Sequence, residues 1–250
     1  MRPVASDLLD LFDVAAAAQL SALATLTAAD RRRRTDRAGQ YHLDTIADAA
    51  IVPVLLAAGV RVLSEESGWS GPDDAEVTVV VDPVDGSTNC ARALPYWAIS
   101  LCAIDDAGMF CSLVRNGATG ARYTATRGEG AWLDGSRLHA SPTREVERAV
   151  VALSGFPPAT LAWRQFRALG SAALALCDVA AGHLDGYVDG VPDQLSPWDF
   201  LGGLLICEEA GALVVDAYDR PLVVPDPLAR RQLIAAGTRE LLDTLRGAVS

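Results

Sequence analysis

The stretch "VVVDPVDGSTN", Val79 to Asn89, begins as a buried strand reads and ends as a binding loop reads. Its β-branched run stops at two aspartates three positions apart, Asp82 and Asp85, which repel each other unless positive charge lies between them. Pro83 fixes the backbone between them, so both carboxylates can turn toward one point, with the Val84 carbonyl offered as a further oxygen ligand. Gly86 allows close backbone approach. Ser87, Thr88 and Asn89 suit the start of a helix, where free N–H groups attract an anion. Cation ligands and a seat for phosphate therefore lie side by side.

Working outward, "VRVLSEESG" (Val60 to Gly68) is a second β-branched run that ends in carboxylates, Glu65 and Glu66, and a glycine. Upstream, two helices are predicted, roughly Ser6 to Arg31 and Asp44 to Ala58, the second bent or shortened by Pro53. The arginine run Arg31 to Arg34 between them reads as a solvated helix end rather than a nucleic-acid patch. Downstream, "YWAISLCAI", the turn "DDAG" and "MFCSLVRN" form a hairpin. The segment "ARYTATRGEGAWLDGSRL" forms another, with Asp134-Gly135 as its turn. From about Val150 the rhythm changes to alternating strand and helix. The expected organisation is an N-terminal α+β half over 1–146 and a C-terminal α/β half over 147–250, packed together without a long linker.

Half of the 250 residues are hydrophobic, enough for a sizeable core. Lys+Arg 21 against Asp+Glu 32 gives a formal charge of −11, a field that repels polyanions and argues against nucleic acid as a partner. Lysine is absent, which excludes Schiff-base chemistry. Five cysteines (Cys90, Cys102, Cys111, Cys177, Cys207), odd in number and without a CxxC pair, read as reduced core thiols and predict a cytoplasmic location. Asp7, Asp10 and Asp13 interrupt any signal-peptide pattern, and Val14 to Ala29 is too polar for a membrane span.

Acidic stations recur at predicted element ends: Glu65-Glu66, Asp82 with Asp85, Asp199, and Asp44 with Asp48. So many hard oxygen ligands, with three scattered histidines, favour Mg²⁺ or Mn²⁺ over zinc. Each station also has a structural reading. Ser196 to Asp199, "SPWD", is a capping box with proline at the first helical position, and Glu65-Glu66 alone would pass for a solvated loop. Only together do the stations point to chemistry.

Four motifs in order, "SEESG" (Ser64 to Gly68), "DPVDGSTN" (Asp82 to Asn89), "PWDFLGG" (Pro197 to Gly203) and "EEAG" (Glu208 to Gly211), resemble the inositol monophosphatase family, Mg²⁺-dependent, lithium-sensitive phosphatases related to fructose-1,6-bisphosphatase. The resemblance implies a mixed α+β fold, a layered α-β-α-β-α sandwich. It implies that Glu65, Asp82, Asp85, Asp199 and the Val84 carbonyl hold two or three Mg²⁺ ions. It places phosphate on Gly86 and Ser87, and makes Ser87, with Glu65 and an acidic partner, position the attacking water. Asp44 in "QYHLD" is the better match for that partner by spacing, with Asp48 one turn on as the alternative. The alcohol part of the substrate would meet Asp85, the helix start Gly170-Ser171-Ala172, and Asp189.

The resemblance thus implies a metal-dependent phosphomonoesterase acting on a small phosphorylated polyol or alcohol, such as inositol monophosphate or histidinol phosphate, and a homodimer. Alternatives are a nucleotide phosphatase of the 3'-phosphoadenosine 5'-phosphate type, disfavoured by the arginine-poor second half, and a non-catalytic homologue that binds a phosphometabolite. Several positions depart from the family pattern. "YHLD" differs from V-T-x-x-D, Arg34 or Arg37 stands near the usual lysine, Cys90 replaces a phenylalanine, and the loop before Asp199 is longer.

Overall fold

The computed structural model describes residues 4–249. Its elements run α1 Ala5–Ala24, α2 Ala28–Arg32, α3 His42–Leu56, β1 Arg61–Ser64, β2 Gly68–Ser70, β3 Thr78–Asp85, α4 Ser87–Ala91, β4 Ala98–Asp105, β5 Gly108–Asn116, β6 Arg122–Thr126, β7 Gly130–Leu133 and β8 Ser136–Arg137. After a 3-10 turn at Val146–Arg148 come β9 Val150–Ser154, β10 Gln165–Arg167, α5 Ala172–Ala180, β11 Gly186–Asp189, α6 Pro197–Ala210, β12 Leu213–Asp216, β13 Leu233–Ala236 and α7 Arg239–Arg246.

Two mixed sheets result. The first has the order β2-β1-β3-β4-β5-β6-β7-β8, the second β10-β9-β11-β13-β12. In the first, β1 runs parallel to β3, and the rest from β3 onward is antiparallel.

Strand alternation sorts the side chains into layers. Along β3, Val79 and Val81 face the cluster built on α1 and α3, while Val80 faces the one containing α5 and α6. Strand β4 divides likewise: Ile99 and Leu101 go to the α1/α3 side, Ala98 and Cys102 to the other. In the second sheet Leu233 and Ala235 join the α5/α6 cluster, and Ile234 and Ala236 join Leu241, Leu242 and Leu245 of α7. The stack is therefore α1/α3, first sheet, α5/α6, second sheet, α7, the expected five layers. Strands apolar on both faces are what such double coverage demands.

The middle layer fits because of Gly202 and Gly203. A Cβ on Gly202 would come within 2.5 Å of Ser100 Oγ in the first sheet, and one on Gly203 within 2.8 Å of Leu176 Cβ on α5. These two glycines let α6 lie against sheet and helix at once.

Some predicted elements differ. The helix expected over Ser6 to Arg31 is two helices, because Thr27 opens a new one: its hydroxyl accepts from Asp30 N–H (3.2 Å), and Asp30 Oδ2 accepts from Thr27 N–H (3.1 Å). The second helix starts two residues early, at His42, and Pro53 falls within its last turn. Asp134-Gly135, both at positive φ, join β7 to β8, while the wider β6–β7 turn lies over 127–129. Strands β2 and β10, three residues each, carry too little pattern to be seen in sequence.

Candidate active site

Three carboxylates converge where β1, β3 and α6 end or begin. One oxygen each from Glu65, Asp82 and Asp199 lie within 4.8 Å of one another. Glu65 follows β1, its amide bonded to Val81 O (3.2 Å), which sets it beside the end of β3. Asp82 is 1% exposed, and its Oδ1 accepts from Val84 N–H (2.9 Å), a turn made across Pro83. Asp199 is in the first turn of α6, where its Oδ2 accepts from Ser196 N–H (2.6 Å). The capping reading of "SPWD" and its reading as part of a carboxylate cluster are both true of this residue.

Asp85 lies beside this triad rather than within it. Its Oδ2 accepts from Ser171 Oγ and from Ala173 N–H (2.7 Å), so the first turn of α5 holds it. The union is tightened from the other side: Asn89 Nδ2 donates to Tyr96 O and Leu169 O, both at 2.7 Å. Gly86 is at φ +89°, and a Cβ there would meet Gly170 O at 2.8 Å. The motif "DGSTN" thus locks the first sheet onto the Leu169–Ser171 segment.

The electrostatics follow from burial. Glu65 is pushed well above its usual pKa by burial, then by Asp199, and Asp82 likewise by burial, then by Glu65 and Asp85. Burial raises Asp199 to about 7, with repulsion from Asp85 adding and the Ser196 amide opposing. Asp85 reaches only about 6, because Ser171 and the α5 amides counter its burial. Among the described residues no arginine forms an ion pair with Glu65, Asp82 or Asp199. A cluster of oxygens that resists ionisation through burial and mutual repulsion, with no sulfur or imidazole in it, has the donor chemistry of a site for a hard divalent cation.

Asp44 and Asp48 differ in what each touches. Asp48 Oδ1 accepts from Ser64 Oγ and Ser67 Oγ, pinning the β1–β2 turn. Asp44 uses Oδ2 to accept from Tyr41 N–H (2.7 Å), and its buried Oδ1 has no partner. Burial lifts Asp44 to about 7 against the pull of the Tyr41 amide. It lines a cleft with Ser87, Glu65, Glu66, Arg37 and Gln40. Arg37 (3.1 Å) and Gln40 both bind Glu66, which explains why the second glutamate of "SEESG" stays outside the triad.

On the far side of Asp85 is a cavity of about 250 Å³, lined by Gly170, Ser171 and Ala172 together with Ser154, Tyr187 and Gln194. The last three were not singled out in the sequence, where no motif marks them. Asp189 does not line this cavity. It is fully buried at the end of β11, with Oδ1 on Val191 N–H (3.1 Å), Oδ2 unpartnered and its pKa raised by burial to about 7. Arg230 also escaped notice. Its charge reaches Asp199, so the second half carries one guanidinium near the cluster after all. Glu209 of "EEAG" serves the fold, accepting from Gly128 and Gly130 N–H (2.7 and 2.8 Å).

A family model described as the inositol monophosphatase family matches residues 7–250. The chain belongs to the inositol monophosphatase family. It is 31% identical over 229 residues to the Nus factor SuhB of Escherichia coli (strain K12), covering 82% of this chain and 84% of that protein. It is 32% identical over 206 residues to the fructose-1,6-bisphosphatase of Pyrococcus furiosus, covering 81% and 80%. Among solved structures, the extragenic suppressor protein suhB of Bartonella henselae superposes with a TM-score of 0.82 at 25% identity, covering 98% of each chain. An inositol monophosphatase-fructose 1,6 bisphosphatase does so at 0.83 and 25%, covering 94% of this chain and 96% of its own. The Glu65, Asp82 and Asp199 cluster could hold a metal ion.

Proposed function

We propose that this chain is a Mg²⁺-dependent phosphomonoesterase acting on a small phosphorylated polyol or alcohol. The observation that carries the reading is the convergence of Glu65, Asp82 and Asp199 from three elements, next to Ser87 and an Asp44 oxygen left without a partner. Glu65, Asp82 and Asp199, with the Val84 carbonyl and Asp85 as further oxygen ligands, would hold a divalent cation, which would supply Lewis-acid charge for water activation and for the leaving oxygen. Asp44, poised near neutrality, takes a proton through the Ser87 hydroxyl and so orients the attacking water. Gly86 and Ser87 seat the phosphate, and Glu65 holds the water's approach in line. The alcohol enters the cavity beside Asp85, where Ser154, Tyr187 and Gln194 offer uncharged polar contacts suited to hydroxyl groups.

Phosphate release from inositol 1-phosphate, histidinol phosphate, fructose 1,6-bisphosphate and 3'-phosphoadenosine 5'-phosphate is the direct test. Turnover of a small polyol or alcohol phosphate with Mg²⁺, abolished by EDTA and depressed by Li⁺, is expected. Release that survives EDTA, or no release from any of the four, overturns the reading. A homodimer in the cytoplasm, free of nucleic acid and membrane, completes the proposal. No helix among the described residues is long and apolar enough to cross a membrane.

A further inference from the structure

The arginines Arg31 to Arg34 end α2 as an exposed helix end, as expected, and two of them also line a cleft. Arg34 lies over the Tyr41 ring at 3.5 Å and donates through Nη1 to Gly39 O (2.7 Å). Arg32 is held through Nε on Ala91 O (3.4 Å). With Arg92, which follows α4, these residues line a cavity of about 270 Å³ whose walls are Arg32, Arg34, Tyr41 and Arg92. No carboxylate is among them, and among the described residues none of the three arginines ion-pairs with Asp or Glu. In a chain with 32 acidic residues against 21 basic ones, three exposed guanidiniums that line one cavity and form no such ion pair make a local positive patch, with Asp44 the acidic neighbour that Arg34 acts on, and an anion of matching size would complete it.

We propose that this cleft is a second anion site, distinct from the catalytic cluster, that takes one phosphate group of a small metabolite. Guanidiniums present planar pairs of donors that match phosphate oxygens, and stacking on Tyr41 pre-orients one of them. The overall charge of −11 disfavours an extended polyanion, whereas a concave site for a single phosphate is screened from that field by its own arginines.

The cleft is joined to the catalytic side by the segment 33–42. That segment is a tight hairpin, with Arg34 bridged to Tyr41, His42 N–H on Arg33 O (2.8 Å) and Thr35 N–H on Gln40 O (3.2 Å). One part of it carries Arg34 and Tyr41 into the cleft, and the tip carries Arg37 and Gln40 onto Glu66. Tyr41 Oη also reaches Thr88 Oγ1 at 3.3 Å, next to Ser87. A phosphate in the cleft therefore braces the hairpin that walls the catalytic cleft.

The test is calorimetric titration of inorganic phosphate into the full chain in EDTA at near-physiological salt, where no metal recruits phosphate to the carboxylates. Saturable one-to-one binding is expected, weakened about tenfold or more in Arg32→Gln/Arg92→Gln and unchanged in the surface control Arg144→Gln/Arg148→Gln. Absence of saturable binding, or equal binding by the Arg32/Arg92 variant, overturns the site. Because this arm needs no turnover, its failure is separate from failure of the phosphatase reading. With Mg²⁺, a KM that rises in the variant for fructose 1,6-bisphosphate but not for inositol 1-phosphate assigns the cleft to a substrate's distal phosphate. Unchanged KM for both, with phosphate binding lost, assigns it to a separate effector. An equal rise for both would make the cleft part of the catalytic phosphate seat. Tighter binding of a single-stranded RNA oligonucleotide than of phosphate, lost in the variant, would make it a nucleic-acid surface. Either of these last two results refutes the proposal.

Discussion

Asp44 and Asp48 stand one turn apart on α3, Asp44 the better match in the sequence as partner for Ser87 and Asp48 the alternative, and their surroundings differ. Asp48 is spent on two serine hydroxyls, while Asp44 keeps one buried oxygen free. Asp44→Asn is therefore expected to lower kcat about a hundredfold with little change in melting temperature. Asp48→Asn should instead cost about 1–2 kcal/mol of stability through the Ser64 and Ser67 bonds and reduce activity less. Steady-state kinetics beside thermal melts of the two variants separate them, and the opposite ranking would return the partner's role to Asp48. Asp199 gives a second contrast. Asp199→Asn keeps an acceptor for the Ser196 amide but removes a cluster charge, so turnover should fall at least about a hundredfold while the fold stays as stable or gains. Asp199→Ala should lose the same activity and also about 1 kcal/mol of helix capping.

At the scale of elements, β3, α4 and α5 are one unit. Gly86 alone takes the chain from strand to helix, at a positive φ and with the Gly170 carbonyl too near for any side chain. Gly86→Ala is expected to cost about 1–3 kcal/mol and to displace Asp85 from Ser171. Asn89→Ala removes the donor shared by Tyr96 O and Leu169 O, and should cost about 2 kcal/mol by leaving two carbonyls without it. Urea titrations of both variants measure these losses. If Asn89→Ala were as stable as the parent, the amide clamp between strand and helix would be of no consequence. The glycine and asparagine of this motif are legible in sequence as turn and helix-start residues. That they also reach a distant segment is not, since the partners there are the Leu169 and Gly170 carbonyls, the first 80 positions from Asn89, and backbone carbonyls carry no side-chain signature.

For the whole molecule, the layered arrangement brings like charges together in a dry place, so pH and metal become linked to stability. The folded pKa values of Glu65, Asp82, Asp85, Asp199 and Asp44 are raised above those of the unfolded chain. The folded state therefore binds more protons, and stability falls as pH rises from about 4, where the unfolded carboxyls titrate, through about 6 to 7, where Asp85, Asp44 and Asp199 do. In EDTA the melting temperature should be higher near pH 5 than near pH 8. Mg²⁺ should restore it at pH 8, with protons released on binding. A metal-free melting temperature that climbed over this interval would contradict the buried, uncompensated cluster.

Much of this protein was determined by sequence alone, because its signals are local. Runs such as Val79 to Val81 and "YWAISLCAI" declare buried strands by their own composition, and the motifs around Glu65, Asp82 and Asp199 place carboxylates at element ends. The tertiary structure decided what depends on distance between far-off segments. It set Asp85 beside the triad, held by α5, withdrew Asp189 from the cavity wall, brought Arg230 toward Asp199, and turned a run of arginines into one side of a cleft closed by Arg92. A side chain's charge state and duty are set by what packs around it, and packing joins residues that the chain itself keeps far apart.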